Sequence, residues 1–138
     1  MAAPAAPRRR AANRLAAFRH AFHGWWYVVR TQENAWIHAL ASAAVFVMSG
    51  WLGLDPTQWA IIFLTVALVW ASEFINTSIE ATVDLASPEL HPLAKIGKDV
   101  GAAAVLVAAL NAVIVGLLIL GPPLWTKLVE WYSRLVVK

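Results

Sequence analysis

Three long apolar runs without Lys, Arg, Asp or Glu constrain the fold of this chain most strongly. The first and third, about residues 35–54 and 100–121, have the length of roughly 20 residues that a helix needs to cross the hydrocarbon core. The second, residues 58–72, is shorter, but no helix-breaking residue follows before Asp84. Since 60% of the residues are hydrophobic and only 14% are charged, we expect most of the protein surface to face lipid. The sequence therefore predicts an all-α membrane protein with transmembrane helices at 35–54, 57–86 and 95–121.

Basic residues lie mainly before the first apolar run. Six of the 11 Lys and Arg residues are found there: Arg8, Arg9, Arg10, Arg14, Arg19 and Arg30. The positive-inside rule then predicts a cytoplasmic N-terminus. Because this basic segment leads directly into membrane spans, we expect it to meet anionic lipid headgroups and not nucleic acid. The chain has no cysteine, which excludes disulfides and thiolate metal sites.

Both ends of the chain have their own character. We expect residues 1–12 to be a disordered basic tail and residues 13–31 to be an amphipathic helix on the membrane surface, with Trp25 and Trp26 at headgroup depth. Pro122 and Pro123 are expected to end the third span. Residues 122–138 would then be an amphipathic tail, which leaves residues 13–121 as the membrane domain.

A polar stripe follows the second apolar run. Its members fall at i, i+3, i+4, i+7 and i+11 of one helix, and so on one face: Glu73, Asn76, Thr77, Glu80 and Asp84. A solvated helix face is one explanation, but such faces usually intersperse basic residues, and none lies between Arg30 and Lys95. An ionisable residue as deep as Glu73 costs several kcal/mol unless it is paired or functional. The stripe therefore indicates a functional site.

The start of the third span adds positive charge to this acidic face. Lys95, Lys98 and Asp99 lie within about one turn of each other. Carboxylates that bind Mg²⁺ and a lysine that contacts phosphate are ingredients of phosphoryl transfer. The sequence contains neither G-x-x-x-x-G-K-[ST] nor G-x-G-x-x-G, which excludes a P-loop or a protein-kinase-like nucleotide site.

Residues 73–103, EFINTSIEATVDLASPELHPLAKIGKDVGAA, closely resemble the signature of the bacterial diacylglycerol kinase and undecaprenol kinase family. The resemblance extends over roughly residues 15–121. It implies a homotrimer of three-span subunits in the bacterial inner membrane, a trimeric helical bundle. It also implies composite cytoplasmic sites that transfer the γ-phosphoryl group of Mg²⁺-ATP to a lipid hydroxyl.

The same resemblance assigns roles to individual residues. It implies that Glu73 is the catalytic base, with Asn76 beside it, and that Glu80 binds the metal. The residues expected to contact the nucleotide are Glu80, Glu89, His91, Lys98, Asp99 and Arg19. Supporting positions are Asp84, Thr77 and Lys95.

The metal site departs from the family pattern before the first span. Where the family has a second metal carboxylate, this chain has Gln32, and Glu33 follows it. Either Glu33 takes over, or the glutamine oxygen is a weaker neutral ligand. His38, early in the first span, is expected to be a packing or interface residue and not a ligand.

The segments HPLAK (residues 91–95) and ENAWIH (residues 33–38) resemble the undecaprenol kinase branch more than the diacylglycerol kinase branch. We therefore expect undecaprenol as substrate, with diacylglycerol as the alternative. Two other classes stay open: a small ion-coupled transporter, which would place its carboxylates near the bilayer midplane, and a membrane accessory subunit, which would not need Glu73, Glu80 and Lys98 together.

Overall fold

A computed structural model of the chain describes residues 7–87 and 91–136, without the side chains of residues 7–13 and 15. These residues form four helices: α1 (Pro7–Thr31), α2 (Glu33–Leu52), α3 (Pro56–Ala86) and α4 (Pro92–Val136). By length and composition, α2, α3 and α4 can each cross a membrane. The prediction of an all-α chain with three membrane-spanning helices is confirmed at this level.

A tight turn joins α2 to α3. Gly53 adopts φ 75°, a left-handed conformation that glycine accepts without steric cost, and its N–H donates to the Ser49 carbonyl at 3.1 Å. Asp55 then caps α3, because its carboxylate accepts from the backbone N–H of Thr57 and Gln58 at 2.8 and 3.0 Å. The Gln58 side chain accepts from the Asp55 N–H, which completes a capping box. The turn is thereby fixed at both helix ends.

An aliphatic core closes the bundle at this turn. Its buried members are Leu52, Leu54, Ile62 and Leu120. Phe46, Trp59 and Phe63 stack beside it, with ring centroids 5.0–6.3 Å apart. The buried polar residues Glu73, Asn76 and Thr77 of α3 lie towards the other end of the bundle.

The pairing of α3 with α4 is the most extensive helix contact. The buried face of α3 is apolar at Ile62 and Val69, and becomes polar at Glu73, Asn76 and Thr77. On α4 the buried residues facing inward include three with small or short side chains: Gly101, Val105 and Ala108. Small residues at one face allow two helix backbones to approach closely.

Both chain ends differ from expectation. α1 begins at Pro7, inside the segment expected to be disordered, and residues 1–6 lie outside the described part. Proline is favoured at the first helical position, and the Ala and Arg residues after it are good helix formers.

α4 continues through Pro122 and Pro123, so the prediction that these prolines end the third span is wrong. Proline removes one backbone donor and crowds the preceding turn, but membrane helices tolerate it when side chains and neighbouring groups satisfy the freed carbonyls. Helix α4 also starts at Pro92, three residues before the expected start of the span.

Candidate active site

Glu73 is the most deeply buried charged residue of the polar stripe, with 1% of its side chain exposed. It lies on the face of α3 that packs into the bundle, one turn before Thr77, whose hydroxyl donates to the Glu73 carbonyl at 2.9 Å. Its Oε2 atom has no hydrogen-bond partner among the described residues. A buried carboxylate oxygen is therefore left available to a ligand or to a neighbouring donor.

His38 of α2 lies beside this carboxylate. Its Nε2 is 3.8 Å from Glu73 Oε2, and this nitrogen likewise lacks a hydrogen bond within the described part of the chain. The sequence predicted a packing or interface residue at His38 and did not place it beside Glu73. The hairpin offered a coarse signal, because His38 lies 15 residues before Gly53 and Glu73 lies 20 residues after it, so both fall at the end of the hairpin away from the turn.

A second group of polar side chains, which we call the Glu80 cluster, consists of Gln32, Asn76 and Glu80. Asn76 Nδ2 donates to Glu80 Oε1 at 2.9 Å, and Gln32 Nε2 donates to Glu80 Oε2 at 3.2 Å. Gln32 precedes the first residue of α2 and makes no capping bond with its side chain, which leaves it free to reach α3. The cluster thus joins α2 to α3 above Glu73.

Asn76 also faces α4. Its Oδ1 is buried without a hydrogen bond in the described structure, and a Cβ atom on Gly101 would lie 2.5 Å from it. Only a residue without a side chain leaves this space open. The close α3–α4 approach therefore sets the position of the Asn76 amide.

The Glu80 cluster contains oxygen atoms of the kind that Mg²⁺ prefers, those of the Glu80 carboxylate and of the Gln32 amide, although both amides of the cluster donate N–H groups to Glu80 here. Among the residues that the structure describes, no group of three His, Asp or Glu side chains could by itself hold a metal. Glu33 is exposed, whereas Gln32 contacts Glu80. The residues present suit a cation that takes most of its ligands from phosphate and water.

Charged side chains stand at the ends of α3 and α4. Lys98 Nζ lies 2.5 Å from Asp84 Oδ1 and so connects the two helices. Lys95 pairs with Asp99 within α4. Lys98 and Asp99, expected as a pair at the nucleotide, thus have different partners here.

Of the three other expected nucleotide contacts, the structure describes two. The His91 imidazole Nδ1 accepts from the Leu93 N–H at 3.2 Å, at the start of α4. Arg19 is exposed on α1. Glu89 lies outside the described residues.

An apolar groove of about 740 Å³ lies between α1 and α3. Aromatic rings from α1 form much of its wall, namely Phe18, Phe22, Trp25 and Tyr27, and α3 contributes Phe74 and Thr77. Since Thr77 is one turn from Glu73, an apolar chain in the groove could bring its polar end to the carboxylate.

The chain is similar to known proteins over most of its length. A family model described as prokaryotic diacylglycerol kinase matches residues 19–120. The chain is 44% identical over 107 residues to the undecaprenol kinase of Bacillus subtilis (strain 168), covering 78% of this chain and 87% of that one. It is 43% identical over 120 residues to a diacylglycerol kinase of Synechocystis, covering 86% and 69%.

A third relative is the diacylglycerol kinase of Escherichia coli K12, 33% identical over 110 residues, covering 75% of this chain and 90% of that one. The family match covers α2, α3 and the part of α4 up to Leu120, and it includes Glu73, the Glu80 cluster and Lys98. The chain therefore belongs to the prokaryotic diacylglycerol kinase family of lipid kinases.

Proposed function

We propose that this lipid kinase transfers the γ-phosphoryl group of ATP to the primary hydroxyl of undecaprenol, which yields undecaprenyl phosphate and ADP. The observation that carries the proposal is the buried Glu73 carboxylate, which has an unpartnered oxygen and lies one turn from the wall of the apolar groove. A carboxylate in this position can accept the proton of a lipid hydroxyl that arrives from the bilayer.

The chemical step uses Glu73 as general base. The hydroxyl proton moves to the Glu73 carboxylate as the alcohol oxygen bonds to the γ-phosphorus. The bond from that phosphorus to the oxygen bridging it to the β-phosphorus breaks, and ADP leaves with this oxygen. The Asn76 amide, next to Glu73 on the helix face, orients the reacting groups.

Positive charge for the phosphates comes from Lys98. In the structure its ammonium is paired with Asp84, so binding of ATP requires it to exchange a carboxylate oxygen for a phosphate oxygen. Both partners are partly exposed, and exposed pairs are worth only about 0–1 kcal/mol, so this exchange costs little. Lys95 and Asp99 support this end of α4, and Arg19, Glu89 and His91 supply the remaining nucleotide contacts of the proposal.

Mg²⁺, when bound with ATP, neutralises charge on the phosphate oxygens. Glu80 would hold it, with the amide oxygen of Gln32 as a neutral second ligand. This choice is supported by the contact of Gln32 with Glu80 and by the exposure of Glu33. The proposal therefore takes Gln32, one of the two alternatives that the sequence left open.

The lipid chain is proposed to occupy the groove between α1 and α3. Its aromatic, almost wholly apolar wall suits the methyl-branched chain of a polyprenol. α1 would lie at the membrane surface with Trp25 and Trp26 at headgroup depth, where both rings are exposed in the single chain. The substrate would then enter sideways from the lipid.

We further propose that three subunits assemble in the bacterial inner membrane with the N-terminus and the active site on the cytoplasmic side. Many large apolar side chains of α2, α3 and α4 are exposed in the single chain, among them Leu40, Leu64 and Leu117. Neighbouring subunits and lipid would cover them. Composite sites would combine groups from adjacent chains.

The substrate is tested by offering undecaprenol and diacylglycerol in parallel to the purified protein in mixed micelles with radiolabelled ATP and Mg²⁺. We expect kcat/KM to be at least about tenfold higher for undecaprenol, a difference of about 1.4 kcal/mol in the transition state. A preference for diacylglycerol would support that lipid as the substrate. Labelling of neither lipid would contradict the proposal.

A further inference from the structure

We propose that His38 is a positioning residue for Glu73: its Nε2–H donates to Glu73 Oε2 and thereby fixes the rotation of the carboxylate. The other oxygen, Oε1, is then presented to the lipid hydroxyl. This inference rests on the proposed function of Glu73 as general base. It assigns a role to a side chain that the sequence predicted to be a packing or interface residue.

The two atoms that face each other lack hydrogen bonds. His38 Nε2 and Glu73 Oε2 are both buried, and neither has a hydrogen-bond partner among the described residues. The two atoms are 3.8 Å apart, in side chains that are 13% and 1% exposed. Buried polar atoms in proteins are nearly always paired, and leaving one unpaired costs about 1–3 kcal/mol. A movement of under about 1 Å would turn this contact into a normal N–H···O bond.

His38 is contacted by Ser42 and Trp70. The Ser42 hydroxyl donates to the His38 carbonyl at 2.6 Å, and the Trp70 indole N–H donates to the Ser42 oxygen at 3.2 Å. The Trp70 ring also meets the imidazole edge-on, with centroids 6.4 Å apart. Trp70 lies on α3 one turn before Glu73, so this network links the turn of α2 that carries His38 to the turn of α3 that precedes Glu73.

A general base needs a fixed orientation. A carboxylate that no donor engages can rotate about its terminal bond, and a general base works only when its oxygen lies within hydrogen-bond distance of the proton. A misplacement of about 1 Å can lower a rate roughly 100-fold. One fixed N–H donor on Oε2 removes this freedom and leaves a single oxygen for the substrate.

Three substitutions at position 38 test the donor. In His38→Gln the amide nitrogen can reach the place of Nε2. In His38→Asn the side chain is one bond too short for this. His38→Leu fills the space with an apolar side chain that has no hydrogen-bond donor. For His38→Leu and His38→Asn we expect kcat to fall by about 10- to 100-fold. His38→Gln should stay within about threefold of wild type, and KM for ATP should stay within about twofold in all variants.

The assay is phosphoryl transfer by full-length protein in mixed micelles, with thermal unfolding measured on the same samples. His20→Leu is the matched control, because His20 is exposed on α1 and outside the groove wall; its kcat should equal that of wild type. A packing role would make Leu at least as good as Gln at position 38. Equal kcat values for these two variants, or losses that follow the unfolding temperature, would overturn the inference.

The two proposals fail in different ways. If wild type transfers no phosphate to lipid, or if Glu73→Gln keeps its turnover, the proposed function is wrong. If wild type is active, Glu73→Gln is inactive and His38→Leu retains full kcat, only the role of His38 is wrong.

Discussion

Asn76 can point into the bundle because the residue opposite it on α4, Gly101, has no side chain. The Asn76 amide uses this space to donate to Glu80, while its oxygen faces the α4 backbone. One glycine thus sets both the distance between two helices and the orientation of an amide in the site.

Replacing Gly101 by alanine tests this dependence. The new Cβ would lie 2.5 Å from Asn76 Oδ1, so the amide must move and its bond to Glu80 is strained or lost. We expect at least about a tenfold loss of kcat and a loss of roughly 1–3 kcal/mol in stability, typical of overpacking. Transfer assays and thermal unfolding in detergent measure the two effects.

Gly97→Ala is the matched control, one turn earlier on the same helix. A Cβ there would meet only Val83 Cγ2, at 3.7 Å, which is a normal van der Waals distance. This variant should keep its activity and gain up to about 1 kcal/mol from helix propensity. The account would be wrong if Gly101→Ala behaved in the same way.

At the scale of elements, the Asp55 cap determines where α3 begins. Asp55→Ala removes two acceptor contacts to the backbone N–H groups of Thr57 and Gln58. We expect a loss of about 1 kcal/mol in stability, seen as a lower unfolding temperature in detergent. Asp55→Asn retains the cap and should lose far less stability. The value of kcat should be unchanged in both variants because Glu73 lies at the other end of the span. Equal stability of the Ala and Asn variants would show that the cap contributes nothing.

The elements themselves were largely predictable. Long runs without charge define α2, α3 and α4, and the predicted starts differ from the observed ones by at most three residues. The failures come from local signals that the rest of the helix overrides. Pro122 and Pro123 lie within a 45-residue helix, where each costs backbone bonds but neither ends it.

The site was predictable where it depends on one helix. The spacing of Glu73, Asn76 and Glu80 shows that they share a face, and the structure brings Asn76 and Glu80 into contact. Contacts between helices could not be predicted from the spacing of residues along one helix, because the sequence does not give the register of one helix against another. His38 beside Glu73, and Lys98 paired with Asp84, belong to this second group.

At the scale of the whole molecule, orientation in the membrane is a prediction from charge. The chain has no cysteine, so single cysteines can report which side a position faces. Thr57 and Leu93 are exposed near opposite ends of the bundle. We expect a membrane-impermeant maleimide to label Thr57→Cys in spheroplasts and Leu93→Cys only after lysis. The reverse pattern would place the active site on the outer face.

The most direct test of a lipid kinase built around Glu73 compares wild type with Glu73→Gln in a transfer assay with radiolabelled ATP, Mg²⁺ and undecaprenol. Glutamine keeps the size of the side chain and removes the base, which is worth about 100- to 10,000-fold in rate. We predict that wild type labels the lipid and that Glu73→Gln loses at least about 100-fold in kcat, with an unfolding temperature close to that of wild type. Turnover of a well-folded Glu73→Gln within a few-fold of wild type would contradict the account.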